Sequence, residues 1–465
     1  LGKSINFDSF EPFVKLCTKA KIKRFIYASS SSVYGLSKEK NVTEEHILKP
    51  LTDYSKFKVG CEEILNRYKN SDMVWTVIRP ATVCGYSIRQ RFDVVVNLLT
   101  NLAFNKEGKC SACIAFEQRD NIDWNSREND LKILFKTFKK KSYWDCVVPV
   151  SGGKDSTYQV LKVLEYGLTP LCVTSTTCDL SDLGKKNIEN IKNFGVDYIE
   201  FTANKKIRKK LNRIGLEEIG DIAWPEHVGI FTIPVIVAVR YNIPLIVWGE
   251  NSQNEYGGPL NKLNNNKLDR SWLEEFGGLL GLRVSDLSSS YGIEKKDLLP
   301  YEYPKEEELL KSNITGIFLG HYIKWDGAKN AVIASSKGFS SYHKIVEGTA
   351  TEYENLDNYQ HGIHDYFKYI KFGFSRATDQ VCMAIRRKKI SREEGIKIVK
   401  KYDGKYPKEY LGKKLEEILN DINLEKNKFD EICDQFTNKK LFLLDNSNKP
   451  KKDNHGNLIP NFEIK

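Results

Sequence analysis

A six-residue segment, Ser-Gly-Gly-Lys-Asp-Ser at 151–156, constrains the fold more than any other part of this sequence. It follows an apolar run at 145–150 that is typical of a buried strand, and it opens a helical pattern that closes at Gly167. Two successive glycines allow a sharp turn in which consecutive N–H groups face one concavity at the positive end of the helix. We therefore predict a phosphate-binding loop between strand and helix. The Walker A spacing is absent, so the loop belongs to another class.

Strand and helix patterns continue to alternate after this loop. Apolar runs at 169–175, 196–201 and 243–250 predict three further strands, each separated from the next by a helical stretch. Four strands with intervening helices indicate an α/β domain with a parallel sheet and helices on both faces. Beyond residue 260 the pattern is mainly helical.

Polar residues follow two of the predicted strands. Thr174 ends the second strand, and Gly249 and Glu250 follow the last one. Ligands of open parallel sheets bind beyond the carboxyl ends of the strands, so we expect these residues near a nucleotide or a substrate. A plain turn at the end of a strand is the alternative for Gly249 and Glu250.

Composition limits the class of protein. The chain of 465 residues has ten scattered cysteines and a formal charge of +11. It contains no apolar run near 20 residues, so we expect no membrane span, and the cysteine pattern predicts a reducing compartment, the cytoplasm. The positive charge fits either nucleic acid or phosphorylated substrates. Because the lysines are spread along the chain, a solvated basic surface is favoured and nucleic acid is not.

The first hundred residues contain three ordered motifs, which are Phe-Ile-Tyr-Ala-Ser-Ser-Ser-Ser-Val-Tyr-Gly at 25–35, Tyr-Ser-Lys-Phe-Lys at 54–58 and Val-Ile-Arg-Pro-Ala-Thr-Val-Cys-Gly at 77–85. Together they resemble the second half of the extended short-chain dehydrogenases, the nucleotide-sugar epimerases and dehydratases. Tyr54 and Lys58 are four residues apart on one helix, so the ammonium can lower the pKa of the phenol. The resemblance implies Ser30 as their hydroxyl partner.

The glycine-rich loop that should bind NAD does not precede these motifs. We therefore expect an incomplete Rossmann-type α/β fragment, no NAD bound to this chain, and a vestigial triad of Ser30, Tyr54 and Lys58.

The rest of the chain, roughly 104–442, resembles the N-acetyl sugar amidotransferases of the PP-loop ATPase superfamily. The motifs that carry this resemblance include the phosphate loop, Gly-Asp-Ile-Ala-Trp-Pro-Glu-His at 220–227, and the long segment at 354–379 that begins Glu-Asn-Leu-Asp-Asn-Tyr-Gln-His-Gly-Ile-His-Asp. The implied fold is an adenine-nucleotide α-hydrolase-like parallel sheet with a helical C-terminal region.

The resemblance implies that ATP is cleaved between its α- and β-phosphates. The backbone of Gly152 and Gly153 and the hydroxyls of Ser151 and Ser156 would hold pyrophosphate. Lys154 would neutralise it, Asp155 would place Mg²⁺, and Glu250 would join them as a catalytic group; the remaining implied nucleotide contacts are Thr174 and Gly249.

The implied reaction converts an acetamido group of a bacterial surface sugar, or of its nucleotide-linked form, into an acetamidino group. AMP is transferred to the amide oxygen, and ammonia from a separate glutaminase subunit then displaces it. The expected substrate contacts are Asn251, Tyr256, Gly257 and Gly258. Further polar candidates, each balanced against ordinary packing or surface charge, are Trp224, Glu226, His227, Arg376, Arg386 and Arg387. His361 and His364 are three residues apart on one helix, a spacing compatible with a metal site; a structural role is the favoured alternative, because no third ligand is nearby in the sequence.

Cys110 and Cys113 form a single C-x-x-C motif. A closed zinc site needs four ligands. The resemblance implies another C-x-x-C some 15 to 20 residues earlier, but that position holds the cysteine-free segment 87–99. We therefore predict half of a severed zinc site, with little or no bound zinc.

These patterns predict five segments. They are an epimerase-like segment at 1–105, a half zinc knuckle with a linker helix at 106–140, the ATP-binding core at 141–260, a mainly helical substrate region at 261–442 and a loosely held polar tail at 443–465. Three alternative functions stay open: a tRNA-thiolating PP-loop enzyme, an NAD-dependent epimerase or dehydratase, and an inactive fusion.

Overall fold

The computed structural model describes residues 7–35, 42–69, 71–80, 111–139, 143–177, 179–250, 282 and 284–463. The chain divides into two compact units, Leu1–Lys109 and Cys110–Lys465. Among the residues described, no helix is long and apolar enough to cross a membrane.

The first unit is a small α/β structure. Its elements are α1 (Phe10–Lys19), β1 (Arg24–Ala28), a 3₁₀ turn (Ser31–Tyr34), α2 (Asp53–Arg67) and β2 (Val74–Ile78). The two strands pair in parallel, and the helices pack on them in a small core that contains Val14 of α1, Leu65 of α2 and Met73, which directly precedes β2. Thr52 begins α2 with a capping box, since its side chain accepts from the N–H of Ser55.

The second unit contains a parallel sheet of five strands. They are β3 (Cys146–Pro149), β4 (Pro170–Ser175), β5 (Asp197–Phe201), β6 (Leu245–Trp248) and β7 (Thr315–Phe318), in the order β5-β4-β3-β6-β7. The predicted parallel sheet is confirmed. β7 was missed because it follows a long segment without strand periodicity, in a region whose sequence pattern is mainly helical.

Helices cover both faces of this sheet, as predicted. The helices are α3 (Ser111–Gln118), α4 (Trp124–Phe138), α5 (Lys154–Glu165), α6 (Asp182–Lys192), α7 (Lys205–Ile219), α8 (Trp224–Tyr241), α9 (Val284–Tyr291), α10 (Lys295–Leu298), α11 (Glu306–Ser312), α12 (Leu319–Tyr322) and α13 (Gly327–Ser336). One core joins Val148 and Cys172 to apolar side chains of α4, α5, α6 and α12, and the other joins Leu171 and Val173 to Ile233.

A third core forms among the C-terminal elements, where Phe367, Tyr410 and Phe429 are buried together. The elements are α14 (His361–Phe372), α15 (Arg376–Arg386), α16 (Arg392–Tyr402), β8 (Glu409–Tyr410), β9 (Lys413–Lys414), α17 (Leu415–Asn420) and α18 (Lys426–Phe436). β8 and β9 pair antiparallel.

The prediction of a loosely held tail at 443–465 was wrong. Phe442 and Leu458 are buried in the C-terminal core, and isolated bridges pair Phe442 with Pro460 and Lys452 with Leu458. The polar residues form tight turns instead of disorder: Asp445 accepts from two following N–H groups, and so does Asp453.

The strand order determines where a ligand can bind. The chain runs outward in one direction from β3 through β4 to β5, and in the other direction through β6 to β7. The carboxyl ends of β3 and β6 therefore flank the point at which the order reverses, which is where open α/β sheets bind ligands.

Candidate active site

A cavity of about 750 Å³ opens at this point. Its walls come from the ends of β3, β4 and β6 and from the C-terminal region. The cavity brings together the sequence-predicted residues Ser151, Lys154, Asp155, Ser156, Thr174, Gly249 and Glu250. Asn251, Tyr256, Gly257 and Gly258 lie outside the described residues.

The phosphate loop has the backbone that its glycines predict. Gly152 has φ +86°, and a Cβ there would lie 2.9 Å from Cγ1 of Ile188 on α6. Gly153 is the N-cap of α5, and its N–H donates to Oγ of Ser151 at 3.3 Å. Any residue larger than glycine at 152 would be strained both by its backbone and by the neighbouring helix.

The hydroxyl of Ser156 donates to the carbonyl oxygen of Gly153 at 2.9 Å, and Thr157 does the same at 3.0 Å. These bonds fix the first turn of α5. The hydroxyl that the sequence assigns to pyrophosphate therefore stabilises the start of the helix.

Lys154 is buried, yet it has two carboxylate partners. Its Nζ lies 2.5 Å from Oδ2 of Asp155 and 2.7 Å from Oε1 of Glu354. Burial lowers the pKa of this ammonium, but the two carboxylates outweigh burial and raise the pKa well above its ordinary value. Lys154 is therefore a permanent positive charge at the loop.

Asp155 is fixed from two sides. Its Oδ2 contacts Lys154, and its Oδ1 accepts from Nδ2 of Asn330 on α13 at 2.8 Å. Sequence reasoning missed Asn330 and Glu354, since each is more than 170 positions from its partner. The signal available for Glu354 was its place at the start of the long motif at 354–379.

Thr174 and Gly249 have packing roles. Oγ1 of Thr174 donates to the carbonyl of Val150 at 2.7 Å and also contacts the hydroxyl of Tyr198. The bond to Val150 holds β4 next to the end of β3. A Cβ at Gly249 would lie 2.9 Å from Oε1 of Gln159 and 3.1 Å from the ring of Trp325, so a larger residue would have to displace one of these side chains. Gln159 in turn donates to the carbonyl of Val247 at 2.6 Å.

The candidate residues at 224–227 have different surroundings in the structure. Trp224 is fully buried in an apolar cluster, whereas Glu226 lines the cavity. The carboxylate of Glu226 accepts from Arg208 at 3.1 Å and from Asn212 at 2.7 Å, which makes it part of a buried polar network. His227 contacts Asp221 instead.

Of the three candidate arginines, Arg376 and Arg387 line the cavity. Arg376 lies 3.4 Å from Oδ1 of Asp365, and Arg387 lies 3.7 Å from Oδ1 of Asp326. The buried carboxylate of Asp403 caps the helix that carries Arg376, accepting from the N–H groups of Ser375 and Ala377, and thereby fixes one end of the cavity wall.

In the first unit, the predicted helical pair is adjacent. Nζ of Lys58 lies 5.5 Å from the ring centre of Tyr54 and donates to the carbonyl of Ala28 at 2.8 Å. Tyr54 is 51% exposed. Ser30 caps the 3₁₀ turn, where its hydroxyl accepts from the N–H of Ser32 at 3.2 Å.

The structure describes only some of the residues considered as metal ligands. Cys110 lies outside the described residues, and Cys113 lies on α3. His361 and His364 do not share a partner, since His361 contacts Asp357 while His364 contacts Asp221. Within the described part of the chain, the grouping with metal-ligand geometry is Asp221, His227 and His364.

Two family models match parts of the chain. Residues 4–116 match the NAD dependent epimerase/dehydratase family, and residues 347–452 match the family described as LPS biosynthesis protein WbpG-like, C-terminal domain. The chain therefore carries an epimerase/dehydratase domain in its N-terminal region and a C-terminal domain related to lipopolysaccharide biosynthesis.

Two curated relatives resemble short parts of this chain. An uncharacterized protein, y4nG, of Sinorhizobium fredii is 34% identical over 84 residues, which are 18% of this chain and 21% of the relative. An uncharacterized UDP-glucose epimerase, YtcB, of Bacillus subtilis is 36% identical over 95 residues, which are 20% of this chain and 29% of the relative. The chain thus spans less than a third of either relative.

Solved structures give weaker likenesses. A predicted subunit of tRNA methyltransferase from Methanocaldococcus jannaschii has a TM-score of 0.23 at 16% identity, covering 41% of this chain and 75% of its own. A short-chain dehydrogenase/reductase superfamily protein from Agrobacterium tumefaciens has a TM-score of 0.18 at 17% identity, covering 44% of this chain and 66% of its own. Neither score supports an argument about fold or function.

Proposed function

We propose that this chain is an ATP-dependent amidotransferase that converts an acetamido group of a bacterial surface sugar into an acetamidino group. The observation that carries the proposal is the loop at 151–156, which lies at the start of α5 and at the reversal of strand order, with a cavity of about 750 Å³ in front of it. The C-terminal match to a family of lipopolysaccharide biosynthesis supports a surface sugar as the substrate.

In the proposed reaction, the loop binds the triphosphate of ATP. The N–H groups at the start of α5 favour anions, and the ammonium of Lys154 supplies a full positive charge. Asp155 and Glu354 offer the carboxylate oxygens that Mg²⁺ prefers, and the ion would supply further charge neutralisation on the phosphates.

The chemistry explains the use of ATP, because an amide carbonyl is a poor electrophile. The amide oxygen attacks the α-phosphate, and the bond to pyrophosphate breaks. Ammonia then adds to the activated carbon, loses a proton and expels AMP. We assign Glu250 to orient the acetamido group or accept that proton, and we assign the supply of ammonia to a separate glutaminase subunit.

The test uses the full chain with ATP, Mg²⁺ and ammonium, and a panel of acetamido nucleotide sugars and nonulosonic acids. The expected products are AMP, pyrophosphate and a sugar in which one oxygen is replaced by NH, identified by mass spectrometry. K154A should abolish AMP formation, whereas K162A, on the outer part of the same helix beside Glu165, should not. Sugar-dependent AMP formation that K154A leaves unchanged would contradict the proposal.

Two other outcomes would favour other functions. AMP formed only with tRNA and a sulfur donor would indicate a tRNA-thiolating enzyme, while folded protein that is inactive on every substrate would indicate an inactive fusion.

A second candidate function rests on the N-terminal unit. The family match at 4–116 and the adjacency of Tyr54 and Lys58 favour an NAD-dependent epimerase or dehydratase. This function requires that the chain bind NAD. Titration of the full chain with NAD, followed by fluorescence, distinguishes the two proposals, since the amidotransferase reaction needs no such binding.

A further inference from the structure

Asp221, His227 and His364 form a compact cluster outside the cavity. Nδ1 of His364 lies 2.8 Å from Oδ1 of Asp221, and Nδ1 of His227 lies 3.2 Å from Oδ2. The two imidazole rings are 5.0 Å apart between centres. One potential ligand atom from each residue lies within 4.8 Å of the other two.

Separate elements hold these three side chains. α7 ends at Gly220, whose left-handed backbone turns the chain so that Asp221 begins the connection to α8. The carboxylate is buried, and its Oδ1 also accepts from the N–H of Ala223 at 2.9 Å. His227 lies in the first turn of α8, and His364 lies in the first turn of α14.

The spacing suits a small divalent ion. Ligand bonds of about 2.0–2.2 Å in a tetrahedral zinc site place the ligand atoms about 3.3 Å apart. His227 lies 3.2 Å from Oδ2 of Asp221 and His364 lies 2.8 Å from Oδ1, both close to that value, and one ligand atom from each of the three residues lies within 4.8 Å of the others. Two imidazoles and one carboxylate are a common donor set for first-row transition metals.

The charges around the cluster do not prevent cation binding. Two positively charged residues lie nearby. Arg376 is paired with Asp365, and Lys371, whose pKa is lowered by burial, donates to the carbonyl of Ile219, while the carboxylate of Asp221 supplies a negative charge within the cluster itself. The side chains of His227 and His364 are 30% and 21% exposed, so an ion can reach them from solvent.

We propose that Asp221, His227 and His364 bind one divalent transition-metal ion, with water completing its coordination. The site is distinct from the C-x-x-C motif. It joins α8, which packs on the sheet, to α14 of the C-terminal core, and it lies next to Glu226 in the cavity wall. The bound ion therefore acts as a cross-link that holds the C-terminal helices against the sheet.

The test measures metal content of the full chain after chelation and dialysis against Zn²⁺ or Co²⁺. The wild type is expected to retain one equivalent of metal, to show cobalt absorption bands typical of nitrogen and oxygen ligands, and to gain thermal stability with Zn²⁺. H364Q and H227Q should each lose the equivalent and the stabilisation.

Two controls locate the ion. H361Q, on the same helix as His364 but in contact with Asp357, should keep the metal, and so should the double variant C110S/C113S. Equal metal content in wild type, H364Q and H227Q would overturn the proposal, and so would loss of metal in the cysteine variant alone. A folded wild type that binds no Zn²⁺ or Co²⁺ would show that the cluster is only a hydrogen-bonded set of side chains.

Discussion

At the scale of single residues, one ion-paired lysine dominates the candidate site. Lys154 is 5% exposed, and Asp155 and Glu354 both contact its ammonium. An unpaired charge is costly to bury, so these carboxylates are needed to keep the protonated lysine in place when no other anion is bound.

We expect E354Q to lower the free energy of unfolding by about 1.5–3 kcal/mol, the usual value of a hydrogen bond to a charged group. In this variant Lys154 keeps its contact with the carboxylate of Asp155 but loses the carboxylate of Glu354. Urea denaturation measures the change, and E352Q, two positions away and exposed, is the matched control. Equal decreases in the free energy of unfolding of the two variants would show that the ion pair between Lys154 and Glu354 does not stabilise the fold.

We expect G152A to impair ATP use as well as stability. The left-handed backbone costs a residue with a Cβ about 1–2 kcal/mol, and here the Cβ also meets Ile188. G195A is the control, since Gly195 has φ +77° and no atom within 4 Å of its Cβ. Both variants should lose stability, but only G152A should lose AMP formation. Full activity in G152A would contradict a role of the loop in binding ATP.

At the scale of elements, the sequence predicted those that carry a strong local signal. The loop at 151–156 and the strands β3, β4, β5 and β6 combine apolar runs with turn residues, so they were found. β7 was missed because it lies in a region whose sequence pattern is mainly helical. The tail was misjudged because its aspartates form turns that bring a few apolar residues into the core. The contacts of Asn330 and Glu354 depend on chain segments far from the loop, which no local pattern reveals.

The tail provides a test of its packing. Leu458 is 5% exposed, so L458A should lower the free energy of unfolding by about 2–5 kcal/mol through the cavity it creates. Leu443 is 38% exposed in the same segment, and L443A should have a much smaller effect. Denaturant unfolding of the two variants measures the difference, and similar small losses would mean that the tail does not pack.

The contact between α12 and α4 predicts sensitivity to acid. Burial and the nearby charge of Arg127 lower the pKa of His321 from 6.5 to about 4. Between these two values the unfolded chain binds a proton that the folded chain does not, so stability falls as the pH decreases from about 6.5 to about 4. Unfolding curves across this range should show a smaller decrease in the free energy of unfolding for H321Q than for the wild type. Equal decreases in the two proteins would exclude His321 as the cause.

At the scale of the whole molecule, the chain combines two units with matches to different families. The first carries the epimerase/dehydratase match over most of its length, and the second contains the sheet, the cavity and the WbpG-like region. The proposed amidotransferase residues all lie in the second unit, so we place the ATP-dependent reaction there.

It follows that Y54F and K58M should leave sugar-dependent AMP formation unchanged, because both residues belong to the first unit. Activity assays on the full chain measure this, with K154A as the inactive reference. A loss of activity in either variant, with normal circular dichroism, would show that the first unit contributes to the reaction.

The contact between Lys154 and Glu354 also has a consequence for ligand selectivity. Any anion that binds Lys154 competes with two carboxylates that already contact its ammonium. A single phosphate ion makes few other contacts and gains little from the exchange, whereas a triphosphate that also contacts the loop N–H groups can offset the loss. In the proposed function, Glu354 would therefore favour ligands that make many contacts over single small anions.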